Sequence, residues 1–460
     1  MNIDETIDTF RRGAIDLDCK KMVLRQRKGG GPHFEGQGYI RQSQDGSLLF
    51  KLYVANYGNT KPTDHLDPWI NAVAGALHSD DAFYDLTAVG HDGTNWTAAR
   101  ILPAIDWDMA DNNALARGQL QSIVAHLKLP QPHCFLRLHF FEEYDVPLRF
   151  MSKTETHGAE YLVRDRAEFE ACGSKFTVRK REGSGNTVVE LTSDTAFPSA
   201  FHVRIQEALQ YITGKTATWR VRLESEGDEL VLELASLLRK SSRTQFWPPI
   251  SPASIDFHNH GWDLFASYLA YVAKETRGTH WNPVAYHLYN ACEATANSID
   301  AWALGVSVAV EAVVDLIQMP TDATKADRLA LFQERMCEYL ETQGDLADLV
   351  SRMKRLINGM GERRPQDTLY ALADIGHTER AYVDSWRYLR NRHAHPKLKD
   401  LKISDLPDNQ KLFDNIHRVE VLLRQLTFYL IGYKGPFTDY GAKGFPTKQY
   451  PLAKSGVSRI

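Results

Sequence analysis

The chain has 460 residues and is close to neutral, with 54 Lys and Arg against 58 Asp and Glu and a formal net charge of −4. Apolar residues make up 43% and charged residues 24%, an ordinary globular composition that excludes the disordered and fibrous classes. A single core usually stops growing below this length, so we expect two or three domains. The slight acidity argues against a strongly basic nucleic-acid coat but leaves room for a local basic patch.

The sequence predicts a cytosolic protein. No apolar run approaches the roughly 18–20 residues that are needed to span a bilayer. Residues 1–5 are acidic and lack the basic and apolar regions of a signal peptide. The cysteines are odd in number, widely spaced and without a C-x-x-C pair, so we expect buried, reduced thiols. They are Cys19, Cys134, Cys172, Cys292 and Cys337.

The first half of the chain reads as β-strands joined by turns. Four pairs of β-prone runs are separated by short segments that contain glycine, and each pair predicts a hairpin. The pairs are 38–42 with 48–54, 86–89 with 96–102, 175–181 with 187–191, and 219–223 with 229–234. One helix interrupts them, because Phe201, Ile205, Leu209 and Ile212 recur at helical spacing. We therefore predict a mostly antiparallel β domain with minor helices over residues 1–240.

A Ser- and Pro-rich stretch, residues 241–255, follows and is predicted to be a linker, because consecutive prolines cannot continue a helix or a central strand. Beyond it the apolar period changes to 3.6. Six helices are expected, at 262–276, 299–317, 329–340, 346–357, 378–391 and 412–431. Their short connections predict a helical bundle over 256–433, followed by an extended or disordered tail, 434–460. The predicted fold class is α+β, with an N-terminal antiparallel β domain and a C-terminal all-α bundle.

Basic charge is concentrated in one segment of the helical half. Residues 351–400 contain eleven Lys and Arg against six Asp and Glu, a net charge of +5 in a chain whose total is −4. A solvated helix face would also produce such a run. The order of the residues within the segment therefore has to distinguish a functional site from a solvated helix face.

That order places an arginine close to a histidine. Arg390 adjoins the predicted core stripe of a helix, and His395 follows five residues later, about 140° away on an ideal helix. Pro396 disfavours α geometry at His395, so the helix is expected to end or distort there and let His395 turn toward Arg390. The guanidinium group of Arg is planar and permanently charged and donates hydrogen bonds to phosphate oxygens, and His transfers protons near neutral pH. With Asn391 orienting either partner, the pair fits metal-free attack of a ribose 2′-OH on the adjacent phosphate.

The segment Arg390-Asn391-Arg392-His393-Ala394-His395 resembles the R-x4-6-H motif of the HEPN superfamily, commonly written R-N-x-x-x-H, whose domains are helical bundles. The helix that contains Val308-Ala309-Val310-Glu311-Ala312-Val313-Val314 looks like the A-x-E-A-L-L helix of the ApeA-like branch, bacterial anti-phage proteins with a variable N-terminal domain. The resemblance covers roughly residues 256–433. The N-terminal half matches only loosely, by its β-rich character and its place before the bundle.

The resemblance implies a metal-independent ribonuclease without a cofactor, in which two copies of the motif face one another across a dimer. Arg390 would then stabilise the phosphate, His395 would be the acid or base, and Asn391 would support them. His393 and Glu311 are possible supporting residues. The surrounding residues expected to bind RNA are Arg387, Arg392, Lys397, Arg363 and Arg364.

This sequence departs from the family pattern at two positions. His393 stands where an aliphatic residue is more common, and Pro396 stands where Gly is frequent. His393 lies three residues after Arg390 on the same helix face, so the main acid or base is either His393 or His395.

The resemblance also implies partners and a biological role. RNA is the expected substrate, the chain is expected to form a homodimer or a higher homo-oligomer, and no membrane is involved. The β domain would hold the bundle inactive or sense a phage-derived trigger, as in antiviral defence by abortive infection. Two alternatives stay open: a non-catalytic HEPN module that binds RNA or protein, and a toxin whose site is hidden by a protein antitoxin.

Three other patterns have ordinary structural explanations. The imidazoles of His258 and His260 have a spacing used in metal sites, but a loop before a helix is favoured. Residues 25–31 combine basic residues with glycines and lack the phosphate-binding G-x-x-x-x-G-K frame, so a flexible loop able to touch phosphates is expected. Packing is favoured over base stacking for Trp219, Trp247 and Trp262.

Overall fold

The protein is described here from a computed structural model. It describes residues 1–58, 61–65, 73, 75, 77–129, 134–156, 159–181, 186–237, 246–275, 277–319, 323–342, 347–359, 364–393 and 406–453. The chain divides into two compact units, which we call the β unit and the helical unit. The β unit comprises Met1–Leu209, Ala217–Ser241 and Thr276–Thr279; the helical unit comprises Gln210–Thr216, Ser242–Glu275 and His280–Ile460. Strands dominate the first half and helices the second, so the predicted α+β class is confirmed.

Fifteen strands of the described residues form one antiparallel sheet in the β unit. They are β1 (Asp16–Gln26), β2 (His33–Gln42), β3 (Leu48–Val54), β4 (Tyr84–Gly90), β5 (Asn95–Ile101), β6 (Ala104–Asp108), β7 (Asn113–Leu120), β8 (Ser122–Lys128), β9 (Cys134–Phe140), β10 (Phe150–Thr156), β11 (Ala159–Ala171), β12 (Ser174–Arg181), β13 (Asn186–Ser193), β14 (Val221–Glu226) and β15 (Glu229–Ala235). Their order across the sheet is β10-β11-β12-β13-β9-β14-β15-β8-β5-β4-β1-β2-β3-β7-β6. All four predicted hairpins are confirmed: β2 with β3, β4 with β5, β12 with β13, and β14 with β15.

Strand β3 shows why these segments form strands. Its residues alternate between a buried face and an outward face, and the buried face belongs to the core of the β unit. The neighbouring strand β2 approaches very closely: a Cβ atom on Gly38 would lie 1.9 Å from the Lys51 carbonyl oxygen. Glycine is therefore required at that position, because any side chain would collide with the β3 backbone.

The described residues also form the following helices. They are α1 (Ile3–Arg11), α2 (Phe201–Thr213), α3 (Ile255–Val272), α4 (Pro283–Ala294), α5 (Ile299–Asp315), α6 (Ala323–Glu341), α7 (Ala347–Asn358), α8 (Pro365–Asp374), α9 (Arg380–His393) and α10 (Leu406–Ile431). The helix predicted around Phe201 is confirmed as α2, and the six helices predicted in the second half correspond to α3, α5, α6, α7, α9 and α10.

Two helices of the helical unit, α4 and α8, were not predicted from the sequence. Both have proline as their first residue, a position where its missing N–H costs nothing. The side chain of Asn282 also caps α4 by accepting from the Val284 N–H at 3.0 Å. Helix α3 begins at Ile255, before the predicted start, because Ser254 caps it.

The prediction of an extended or disordered tail over 434–460 is wrong for residues 435–453. Strands β16 (Gly435–Thr438) and β17 (Thr447–Tyr450) form an antiparallel hairpin. Between them Asp439 is fully buried and accepts from the Tyr382 hydroxyl of α9 at 2.7 and 2.8 Å. Lys448 contacts the same carboxylate at 2.6 Å. The last seven residues lie outside the described residues.

No helix in the described ranges is long and apolar enough to cross a membrane. All five cysteines are outside disulfides, and Cys19 and Cys292 are buried as expected. The expectation that every thiol is buried is wrong for three of them, because Cys134 and Cys337 are only partly buried and Cys172 is exposed. Its position explains the exposure, because Cys172 occupies the left-handed region, with φ 50°, in the turn between β11 and β12.

Candidate active site

Helix α9 carries five of the ten predicted site residues: Arg387, Arg390, Asn391, Arg392 and His393. Its buried face is made of one apolar stripe, as predicted from the spacing. The stripe consists of Tyr382, Val383, Trp386 and Leu389, each no more than 4% exposed. Arg390 follows this stripe and therefore lies at the boundary between the core and solvent.

Two side-chain contacts hold α9 against α5 and place Arg390. The indole Nε1 of Trp386 donates to the backbone carbonyl of Ser307 at 3.2 Å. One turn further along both helices, Nε of Arg390 donates to Oε1 of Glu311. The Arg390 guanidinium also lies 5.9 Å from the centroid of the Trp386 ring. The structure thus brings together Arg390 and Glu311, which sequence reasoning had linked only through the family resemblance.

The ion pair is partly solvated: 39% of the Arg390 side chain and 31% of the Glu311 side chain are exposed. Pairs of this kind contribute roughly 0.2–1 kcal/mol to stability, so its main effect is on orientation. Nε donates to Glu311, and no described residue accepts a hydrogen bond from Nη1 or Nη2. These two nitrogens form the edge of the guanidinium that matches two phosphate oxygens.

The other predicted arginines do not all lie on this side of α9. Arg387 precedes Arg390 by three residues, so both lie on neighbouring parts of one helix face. Arg392 lies about 160° round the helix from Arg390, and its Nη1 donates to the Tyr388 hydroxyl at 3.1 Å. Arg364 is exposed immediately before α8. The predicted group of RNA-binding arginines is therefore spread over more than one surface.

Several predicted residues can be placed only in part. Asn391 is exposed on α9 next to Arg390. His393 is the last residue of α9, but its side chain lies outside the described residues, as do His395, Lys397 and Arg363 entirely. The approach of either histidine to Arg390 stays a prediction.

An apolar strip borders the ion pair on α5. Leu304 and Val308 precede Glu311 by seven and three residues, so all three share one helix face. Leu304 is 39% exposed and Val308 is 52% exposed. These two residues form a small exposed apolar strip beside the ion pair.

Sequence reasoning missed a second polar cluster between α5 and α10. Glu420 is only 2% exposed and accepts from Nε1 of Trp302 at 3.0 Å. Its other carboxylate oxygen contacts Nδ1 of His417 at 3.4 Å, and the His417 and Trp302 rings meet edge to face. A His followed three residues later by Glu within a helical pattern could have indicated this pair.

The structure also shows where the histidine pair and the basic, glycine-containing segment lie. His258 and His260 lie within α3 and not in a loop, and residues two apart point to different faces of a helix. The described residues contain no group of three or more His, Cys, Asp or Glu that could hold a metal ion. Arg27 is bound by Asp80 at 3.0 Å and by Asp85 at 2.9 Å, so its charge is neutralised within the protein.

The tryptophans take different roles. Trp262 is buried in the core of the helical unit, as expected. Trp219 meets the His202 ring edge to face at 5.6 Å. Trp247 is 41% exposed and stacks on Tyr440 with ring centroids 5.2 Å apart. All three therefore have packing partners or buried positions within the protein.

Comparison with known proteins leaves the family unassigned. The sequence matches no protein-family model and no curated protein, and no solved structure matches the fold. Function therefore has to be inferred from the chemistry of the site itself.

Proposed function

We propose that the protein is a metal-independent endoribonuclease of the HEPN type, an anti-phage or toxin effector. The observation that supports this proposal is the placement of Arg390. Its guanidinium is oriented by Glu311 and Trp386 at the edge of the helical unit, with its Nη1 and Nη2 edge able to receive phosphate oxygens. Asn391, exposed beside it, can add a neutral hydrogen bond to the RNA backbone.

An arginine and a histidine together supply the charge stabilisation and the proton transfer that this reaction needs. A histidine accepts the proton of a ribose 2′-OH, whose oxygen then forms a bond to the adjacent phosphorus. The bond from phosphorus to the 5′-oxygen breaks, and that oxygen takes up a proton. The products are a 2′,3′-cyclic phosphate and a 5′-hydroxyl. Arg390 stabilises the negative charge that develops on the phosphate oxygens, and His395 or His393 moves the protons.

A second copy of the chain would complete the site. The apolar strip of Leu304 and Val308 lies on the same face of α5 as Glu311, so a partner that covers the strip would bring its own Arg390 close. We therefore propose a homodimer with the two motifs lining one cleft.

Cleavage of RNA by three variants tests the proposal. The Arg390→Ala and His395→Ala variants are each expected to lose about 10²–10⁴ of the cleavage rate, because charge stabilisation and proton transfer contribute that much. Arg380→Ala is the matched control: it removes an arginine of the same helix that is 67% exposed and pairs with Asp374. Its rate should equal that of the wild type. The products are read on denaturing gels and tested for cyclic phosphate ends.

Equal cleavage by Arg390→Ala, His395→Ala and the wild type would exclude this site. His393→Ala decides between the two histidines, since only the variant of the true acid or base should lose the full factor.

A non-catalytic RNA-binding or protein-binding module is the second candidate. The ion pair of Arg390 with Glu311 favours it, because the same contact can serve a purely structural purpose or clamp a phosphate without cleavage. RNA binding would then weaken in Arg390→Ala, with a salt dependence reduced by about one phosphate contact, while no cleavage product forms with any chain.

A further inference from the structure

Helices α6 and α7 form an antiparallel hairpin within the helical unit. Nε2 of Gln333, in the middle of α6, donates to the carbonyl oxygens of Ile357 and Asn358 at the end of α7, at 2.7 and 3.2 Å. Lys354 pairs with Glu341 at the end of α6, at 2.6 Å. Among the side chains of both helices that the structure describes, only Ile357 is buried. The rest of the helical unit therefore leaves most of the hairpin surface uncovered.

Each helix of the hairpin presents large apolar side chains to solvent. On α7 they are Leu349, Met353 and Leu356, which recur at intervals of four and three residues and so share one helix face. On α6, Phe332 and Tyr339 are seven residues apart and also share a face. Exposure of the five residues ranges from 43% to 61%, so about half of each is accessible to a partner.

The two apolar stripes lie on the same side of the hairpin. Phe332 immediately precedes Gln333, and Met353 immediately precedes Lys354, so each lies about 100° from a residue that faces the other helix, in the same rotational sense. In antiparallel right-handed helices, equal rotations from the contact side lead to the same side of the pair. The stripes therefore form one surface, which we call the hairpin face and define by Phe332, Tyr339, Leu349, Met353 and Leu356.

The hairpin face has the size of a protein-binding surface. Its five side chains together expose roughly 600 Å², at the upper limit of the largest apolar patch on a typical soluble monomer. With the stems of the flanking arginines, the face approaches the roughly 800 Å² that one partner contributes to a standard interface. The groove between two packed helices is also the shape into which an amphipathic helix of a partner fits.

Arginines flank the apolar residues of this face. Arg328 and Arg335 lie four residues before and three residues after Phe332, so they belong to the same stripe of α6. Both are exposed, and neither forms an ion pair with a described residue. On α7, Arg352 is exposed three residues after Leu349. A partner that covers the face must place carboxylates opposite the α6 edge, because guanidinium groups that lose water without a counter-charge are costly.

We propose that the hairpin face binds an amphipathic helix of a partner protein, whose apolar stripe is flanked by Asp or Glu. The stripe fills the groove between α6 and α7, and the carboxylates pair with Arg328 and Arg335. A second copy of the hairpin fits less well, because it would bring arginines opposite arginines. Single-stranded RNA fits less well, because it would leave the three aliphatic residues of α7 in water. The surface uses none of the residues proposed for RNA cleavage, so it is independent of that proposal.

Fluorescence anisotropy of two labelled synthetic helices, titrated with the full chain, tests the proposal. Both probes are 21-residue peptides with the same leucine stripe, which is flanked by glutamate in one and by lysine in the other. The glutamate peptide should bind the wild type at least tenfold more tightly than the lysine peptide. Met353→Ser should weaken this binding at least tenfold. The double variant Arg328→Glu, Arg335→Glu should reverse the preference, since the flanking charges decide between the two peptides.

Tyr286→Ser and Arg380→Glu are the matched controls. They make substitutions of the same kind at exposed residues of α4 and α9, away from the hairpin. Each should keep the affinity of the wild type for the glutamate peptide within about twofold.

The proposal is overturned if neither peptide binds, if the two bind equally, or if the charge-reversed variant keeps the preference of the wild type. A 12-nucleotide RNA and vesicles of phosphatidylserine are titrated in parallel. Binding of either one that Met353→Ser abolishes, without binding of the glutamate peptide, would assign the face to RNA or to lipid. Self-association that Met353→Ser abolishes, again without peptide binding, would assign it to a second copy. RNA cleavage is measured separately, so a failure of the ribonuclease proposal leaves this result readable.

Discussion

At the scale of single residues, His202 has a neutral ring held in an unfavourable place for charge. It lies in α2 against Trp219, and its Nδ1 is buried without a hydrogen-bond partner among the described residues. Burial, together with the nearby Arg222 and Arg204, lowers the pKa of His202 from 6.5 to about 3. The unfolded chain therefore binds a proton between these two pH values that the folded chain does not bind.

Stability of the β unit is expected to fall as the pH decreases below about 6.5. The contribution of His202 to this loss approaches about 1.4 kcal/mol for each pH unit and levels off below pH 3. His202→Phe retains a ring beside Trp219 and should remove that part of the slope. Urea unfolding of both proteins at pH 7, 6, 5 and 4 measures it.

His126→Phe is the control for this measurement, because His126 is an exposed histidine of the same unit, on strand β8. It should unfold with the pH slope of the wild type. Parallel slopes for the wild type and His202→Phe would show that His202 is not the group responsible.

At the scale of elements, the β16–β17 hairpin depends on one buried carboxylate. Asp439 accepts from Tyr382 of α9 and pairs with Lys448, which also contacts Glu379 at 2.7 Å. Burial and donation to Asp439 hold the pKa of Tyr382 well above its usual value, so the phenol remains a donor. The hairpin is thus attached to the helices through charge and hydrogen bonds as well as through apolar packing.

Asp439→Ala is expected to destabilise the helical unit by about 3–5 kcal/mol, because it leaves a partly buried lysine and a buried phenol without this acceptor. Chemical unfolding followed by circular dichroism measures the loss. Asp374→Ala removes an exposed carboxylate that pairs with Arg380 and should cost less than about 1 kcal/mol. Similar losses in the two variants would argue against the role given to Asp439.

At the scale of the whole molecule, the proposed ribonuclease requires two copies of the chain. Val308→Asp places a charge in the exposed apolar strip of α5 and is expected to convert a dimer into a monomer, with a loss of cleavage. Sedimentation analysis across micromolar concentrations measures the association. Tyr286→Asp adds the same charge on α4, where 52% of the tyrosine is exposed, and should leave the association unchanged. A monomeric wild type that cleaves RNA would exclude the dimer cleft.

Local patterns were sufficient to predict much of the fold. The four hairpins depend on turns between alternating strands, and helices α5, α9 and α10 repeat apolar residues at helical spacing over 17, 14 and 26 residues. Both signals are carried by neighbouring residues, so they can be read without knowing the tertiary structure. Helices α4 and α8 have only 12 and 10 residues, so each offers few apolar repeats, and the proline at its first residue is the other local signal.

The candidate site shows the same division. The order of residues 390–395 and the spacing of the α9 stripe were visible in the sequence and predicted a helix with Arg390 at its solvent boundary. The contact of Arg390 with Glu311 joins residues 79 positions apart, and that of Tyr382 with Asp439 joins residues 57 apart. Sequence spacing cannot predict such pairs, because they are brought together by the packing of separate elements and not by a local period. Local chemistry thus determined the elements, whereas only the tertiary structure decided which polar groups meet.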